Sequence, residues 1–176
     1  MAHYDLHESI GYLTNLTSRA LGKRLVEHFE QEGFNFDAYD WFILSHLAVH
    51  EGVNQQTLGR ICGRDRASIT RIIDQLEDRG IVQRHPNPED RRNKQVYLTP
   101  EGHTLKNQLS GLAEATLDEA YAGLSPDEMT IVITALQRML SNLCEPRETL
   151  EAVSRLTGDQ AASASEDGQS APAPEA

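Results

Sequence analysis

The chain has 176 residues, 39% of them hydrophobic, which suits one domain with an ordinary core plus a tail. No apolar run approaches the ~18 residues of a membrane-spanning helix, and the start, Met-Ala-His-Tyr-Asp-Leu-His-Glu, has neither a basic nor an apolar leader region, so no signal peptide is expected. The formal net charge is −11, and the two cysteines, Cys62 and Cys144, lie far apart without metal-ligand spacing, which fits a reducing, cytoplasmic location.

Asp5 and Glu8 stand as N-cap and N3 of a first helix. Leu6, Ile10, Leu13, Leu16, Ala20, Leu21, Leu25 and Phe29 mark its apolar face, Arg19, Lys23 and Arg24 its solvent face, and Gly33 its stop. Asp37 caps a second helix whose residues 39–50 are apolar on more than one side, which predicts burial on two sides. Gly52 ends it. His46 and His50 are i, i+4 on this helix, a spacing that can chelate zinc, but two ligands do not make a site, so no metal is assigned.

A short helix then opens at Asn54, with Leu58, Ile61 and Cys62 as its stripe, and Gly63 permits a tight turn. Cys62 on that stripe reads as core rather than as a reactive thiol. Asp65 caps the next helix, which runs to about Arg79 and stops at Gly80. Ile69, Ile72, Ile73 and Leu76 form its inner face. Ala67, Thr70, Arg71, Asp74 and Gln75 form the opposite one, flanked by Arg66 and Ser68. Such a mixture suits base edges: Arg forks onto guanine, Gln bridges adenine, and Ala or a Thr methyl touches thymine. Residues 81–85 then read as a short strand that Pro86 ends, and 95–99 as a second strand. The two strands with the charged tip between them predict a wing able to enter a minor groove. Within 54–94 nine basic residues face six acidic ones, a local +3 in an acidic chain and the footprint of a nucleic-acid face.

The run from Asp65 to Val82, DRASITRIIDQLEDRGIV, followed by Asp90-Arg91-Arg92, Leu98-Thr99 and Gly102, resembles the recognition helix and wing of the multiple antibiotic resistance regulator (MarR) family. The resemblance extends over residues 5–145 in the order and length of helices. It implies a homodimeric winged helix-turn-helix transcription regulator, with Arg92 as a minor-groove wing arginine and Asp90 as the carboxylate that orients it. It also implies a ligand cleft between dimerisation helices and head, for which Leu13, Thr17, Trp41, Phe42, Ser45 and His46 are the candidate lining; a small planar aromatic effector would suit it. Trp41 and Phe42 read equally well as core. The family's cysteine-based sensors use a residue near the N-terminal helix, and this chain has none there.

After the wing, Thr99 caps another helix with Pro100 at N1. Gly123 and Leu124 break it, and Ser125-Pro126-Asp127-Glu128 starts a last long helix with the stripe Met129, Val132, Ile133, Leu136, Met139, Leu140 and Leu143. Pro146 kinks or ends that helix; 146–157 could extend it, and 158–176, rich in Ala, Ser, Gly, Pro and acid, reads as disordered.

The expected fold is thus mainly α with a small β wing: a winged-helix domain over 5–145, with the head at 37–99 and dimerisation helices at 5–33 and 100–145. The candidate DNA-binding residues are Arg64, Arg66, Ala67, Ser68, Thr70, Arg71, Gln75, Asp90, Arg91, Arg92 and Lys94. The partners expected are double-stranded DNA and a second copy of the chain, without a cofactor or a membrane. No phosphate loop, nucleophile elbow or triad order points to an enzyme. The alternative is a dimeric protein-interaction module that turns its basic island to an acidic partner.

Overall fold

The computed structural model describes residues 5–87 and 94–143. The expectations for 146–157, 158–176 and Cys144 lie outside them. The chain falls into two compact units, Met1–Ala122 and Gly123–Ala176, and the described elements are helices with one small antiparallel sheet, as expected. In the first unit the order is α1 (Ile10–Gln31), α2 (Ala38–Val49), β1 (Val53–Asn54), α3 (Gln55–Ile61), α4 (Arg66–Asp78), β2 (Val82–Pro86), β3 (Lys94–Leu98) and α5 (Pro100–Tyr121). The second unit contains α6 (Pro126–Leu143).

The first helix starts later than predicted. Asp5 does cap, accepting from His7 N at 2.8 Å, but it caps only one 3-10 turn, Leu6–Glu8. Ser9 is extended (φ −77°, ψ 111°) and its side chain accepts from Tyr12 N, so it restarts the chain as the cap of α1. A cap residue needs non-helical dihedrals, and Ser9 takes them within the first turn of the expected helix. Within the chain α1 buries only Leu25 and Phe29; Leu6, Ile10, Leu13 and Leu16 on the same predicted face are exposed.

Arg24 lies on the solvent face as expected, with its side chain 40% exposed, but it is also paired there. Its Nε and Nη2 fork onto Glu119 Oε2 and Oε1 of α5 at 2.6 and 2.8 Å, while Nη1 reaches Glu27 at 3.2 Å. His28 joins the same cluster, with Nδ1 2.8 Å from Thr116 Oγ1 and Nε2 3.1 Å from Glu119 Oε1. The hydrogen bond from Arg24 holds the Glu119 carboxyl down at about 2. A depressed carboxyl contributes stability that is present above its unfolded value and lost as pH falls through the folded one. Wild type is therefore expected to melt above Glu119→Gln at neutral pH. The gap should close as pH drops from about 4.5 toward about 2 in a thermal-melt series; a gap constant with pH would disprove the linkage.

Helix α2 carries a complete capping box, Asp37 and Asp40 each accepting from the other's backbone N–H. Burial pushes the Asp40 carboxyl up. Ile43, Leu44 and Leu47 are fully buried, and Trp41 meets Phe29 edge-on at 6.2 Å. The helix is not covered on two sides in this chain, because Tyr39, Phe42 and Val49 are exposed.

The head contains one strand more than expected. β1 pairs with β3 through Val53↔Val96 and Asn54↔Gln95, and β2 pairs with β3 from Val82↔Leu98 to Pro86↔Lys94, so the antiparallel order is β1-β3-β2. Two residues are too short a run to show an alternating pattern, and Asn54 doubles as the cap of α3, accepting from Thr57 N at 2.8 Å. The last strand ends at Leu98, one residue before Thr99, which caps α5 as expected. Its hydroxyl donates to Gly80 O at 2.7 Å and accepts from Gly102 N at 3.0 Å. Val82, Val96 and Leu98 of the sheet close over Leu58, Ile69, Ile73 and Leu76 to make the core of the head.

In the second unit, Ser125 and Glu128 close the start of α6 as predicted. Glu128 Oε2 accepts from Ser125 N at 2.8 Å, and Ser125 Oγ accepts from Glu128 N at 3.3 Å. Val132, Ile133, Leu136, Leu140 and Leu143 are all exposed on it.

Candidate nucleic-acid interface

α4 is oriented by its own sequence. Ile69, Ile73 and Leu76 are fully buried, so the helix must turn Arg66, Ala67, Thr70, Arg71 and Asp74 outward, and these five line an open hollow of about 500 Å³. Asp65 caps the helix twice over through Ser68, accepting from its N–H at 2.9 Å and its hydroxyl at 2.7 Å, and these bonds hold the Asp65 carboxyl below the usual range. Gly63 (φ 58°) makes the turn between α3 and α4. Gly59 lets the two helices come close, since a Cβ there would lie 3.2 Å from Arg64 O.

The structure sorts the predicted readers. Arg66 and Arg71 sit in the hollow with no bonding partner among the described residues, their guanidinium donors free for phosphate or base. Thr70 is engaged: its hydroxyl donates to Arg66 O at 2.8 Å and accepts from Gln55 Nε2 at 2.5 Å, so it has no donor left for a base. Ser68 is committed to the Asp65 cap. The Arg64 guanidinium lies 3.9 Å over the Tyr39 ring at the rim of the head. Gln75 and Lys94 are exposed, the latter as the first residue of β3. Asp90, Arg91 and Arg92 lie outside the described residues.

Two members of the basic island are spoken for. Arg79 lies 3.8 Å over the Phe36 ring. Arg84, with its side chain only 10% exposed, binds Asp74 Oδ1 at 2.6 Å and Glu77 Oε2 at 2.5 Å, and its backbone N donates to Glu77 Oε1 at 3.1 Å. Arg84 is therefore a tie between α4 and β2 rather than a free cation. Counting charge along the sequence missed this, as it missed Gln55. A signal for Arg84 did exist: it lies two residues after the inward-facing Val82, and the strand period of two places both on the same face.

Of the candidate effector residues, Leu13 and Thr17 are exposed on α1 and Trp41 packs on Phe29. The Phe42 and His46 rings are parallel within 4° at 6.4 Å, and Ser45 Oγ is buried without a hydrogen-bond partner. Burial, then the neighbouring His50, pulls the His46 pKa down. Among the described residues no group of three or more His, Cys, Asp or Glu could hold a metal ion. Burial pushes the Cys62 thiol up to about 11, which keeps it protonated and unreactive at neutral pH.

Residues 38–94 match the family model described as MarR family. The chain is 25% identical over 137 residues to the HTH-type transcriptional regulator SarZ of Staphylococcus haemolyticus (strain JCSC1435), covering 78% of this chain and 90% of that protein. A MarR-family transcriptional regulator from Silicibacter pomeroyi superposes with a TM-score of 0.70 at 25% identity, over 82% of this chain and 96% of that one. CouR from Rhodococcus jostii RHA1, solved with p-coumaroyl-CoA bound, superposes with a TM-score of 0.67 at 23% identity, over 78% of this chain and 95% of that one.

Proposed function

We propose, from the match of residues 38–94 to the MarR family model and the similarity to SarZ and to solved MarR-family regulators, that this chain is a MarR-family transcription regulator that acts in the cytoplasm as a homodimeric repressor on a pseudo-palindromic operator and is released by a small effector. The observation that carries the DNA-reading part is the outward face of α4, where the Arg66 and Arg71 guanidinium groups have no protein partner among the described residues and line an open hollow. Helix-turn-helix proteins lay such a face in the major groove. Two copies related by a two-fold axis would read half-sites about one helical turn apart, ~10 bp centre to centre. The homodimer is supported by two apolar faces left exposed, one on α1 (Ile10, Leu13, Leu16) and one on α6 (Val132, Leu136, Leu140).

Selection of random duplex DNA by the purified protein, with binding measured at two salt concentrations, tests the reading. A two-fold-related motif is expected; salt-labile binding to any polyanion without sequence preference would instead favour the protein-interaction alternative. The effector is a planar aromatic molecule seated against Phe42 and His46, whose rings are parallel at 6.4 Å. A panel of aromatic acids is expected to include at least one that changes Trp41 fluorescence and releases the operator. A panel without effect on either would remove this part of the proposal.

A further inference from the structure

Asp74 is out of place on a surface meant for DNA. It faces the same hollow as Arg66 and Arg71, with its side chain 54% exposed, where the phosphates of a bound duplex would repel it. Its position is nonetheless fixed. Arg84 reaches across from β2 and takes Oδ1 at 2.6 Å, and no other described group bonds the carboxylate. Arg71, one turn back on the same face, makes no ion pair with it, although the i, i+3 spacing allows one. Arg84 thus does two things at once. It keeps Asp74 away from Arg71, leaving that guanidinium free, and it holds Oδ2 as an acceptor beside the readers of the helix.

A fixed acceptor in a major groove is selective. Guanine and thymine present acceptors there, and adenine presents its N6 donor next to the N7 acceptor. Cytosine presents only the N4 amino donor. We propose that Asp74, positioned by Arg84, is a base-reading residue whose free oxygen accepts a hydrogen bond from the N4 amino group of one cytosine in each half-site. The inference rests on the DNA-reading role argued above.

The test begins with the motif selected by the wild-type protein. Each cytosine of a half-site is replaced in turn by N4-methylcytosine, which keeps Watson–Crick pairing and blocks the outward N–H. At one position affinity is expected to fall on the order of tenfold. The Asp74→Asn protein should show no such loss there. Its oxygen would stay on Arg84 and its amide N–H₂ would turn outward, so its preference at that pair should move from cytosine to a base with an acceptor. If every cytosine tolerates methylation in the wild type, or if Asp74→Asn folds and keeps the wild-type preference at every position, the assignment is overturned while sequence-specific binding stands. If the wild type selects no motif at all, the DNA-reading role falls and takes this inference with it. The methylation series uses the wild-type protein, so it decides the matter even if the variant does not fold.

Discussion

Gly102→Ala is expected to lower stability by about 3 kcal/mol, at the upper end of overpacking costs, and the melting temperature by roughly 6–12 °C. Gly102 is the third residue of α5, and its N–H bonds the Thr99 cap at 3.0 Å. A Cβ there would collide with the carbonyl oxygen of Ile81, with Leu98 Cδ2 3.4 Å away. That carbonyl is backbone and cannot swing aside. It already accepts from Thr99 N at 3.0 Å, and Ile81 N is bonded to Leu76 O at 2.9 Å. Relief would have to lift the start of α5 off the head. Gly111→Ala in the same helix is the matched control. Its Cβ meets nothing within 4 Å, so a gain of about 0.5–1 kcal/mol is expected from the better helix propensity. Equal melting temperatures for wild type and Gly102→Ala would show that the junction yields and that the close approach is not a constraint.

If two copies pair through α6 as proposed, Leu136→Glu is expected to leave the fold intact, yield a monomer, and weaken operator binding on the order of 10²–10⁴-fold. The affinity loss follows because a monomer forfeits the effective concentration that the first bound half-site gives the second. Leu136 is the middle of the exposed stripe of α6 and 39% accessible in the single chain, so a carboxylate there is solvated in the monomer and buried only if a second copy covers it. Sedimentation and circular dichroism separate the outcomes. A variant that remains dimeric would place the contact between copies elsewhere, and a variant that loses helix content would show that Leu136 supports its own unit.

The elements with local causes were legible. Asp37, Asn54, Asp65 and Thr99 each cap the helix that their position suggested, and Gly63 and Gly80 adopt the positive φ that their turns needed. The inward stripe of α4 was equally plain, and with it the outward one. The single N-terminal helix was misread because two caps, Asp5 and Ser9, compete within one turn, and the later one starts the α-helix. The two-residue β1 gave no pattern to read.

The sequence by itself determined where helices begin and end and which face of α4 points out, because caps, turns and 3.6-residue periodicity are satisfied within a few neighbouring residues. Only the tertiary structure decided what the exposed polar groups are free to do. Gln55 takes up the Thr70 hydroxyl, Arg84 leaves the basic island to hold Asp74 and Glu77, and Arg24 pairs with Glu119 at the surface. Those partners are remote in sequence or on different elements, and a hydrogen bond or ion pair depends on distances of about 3 Å that no spacing along the chain records.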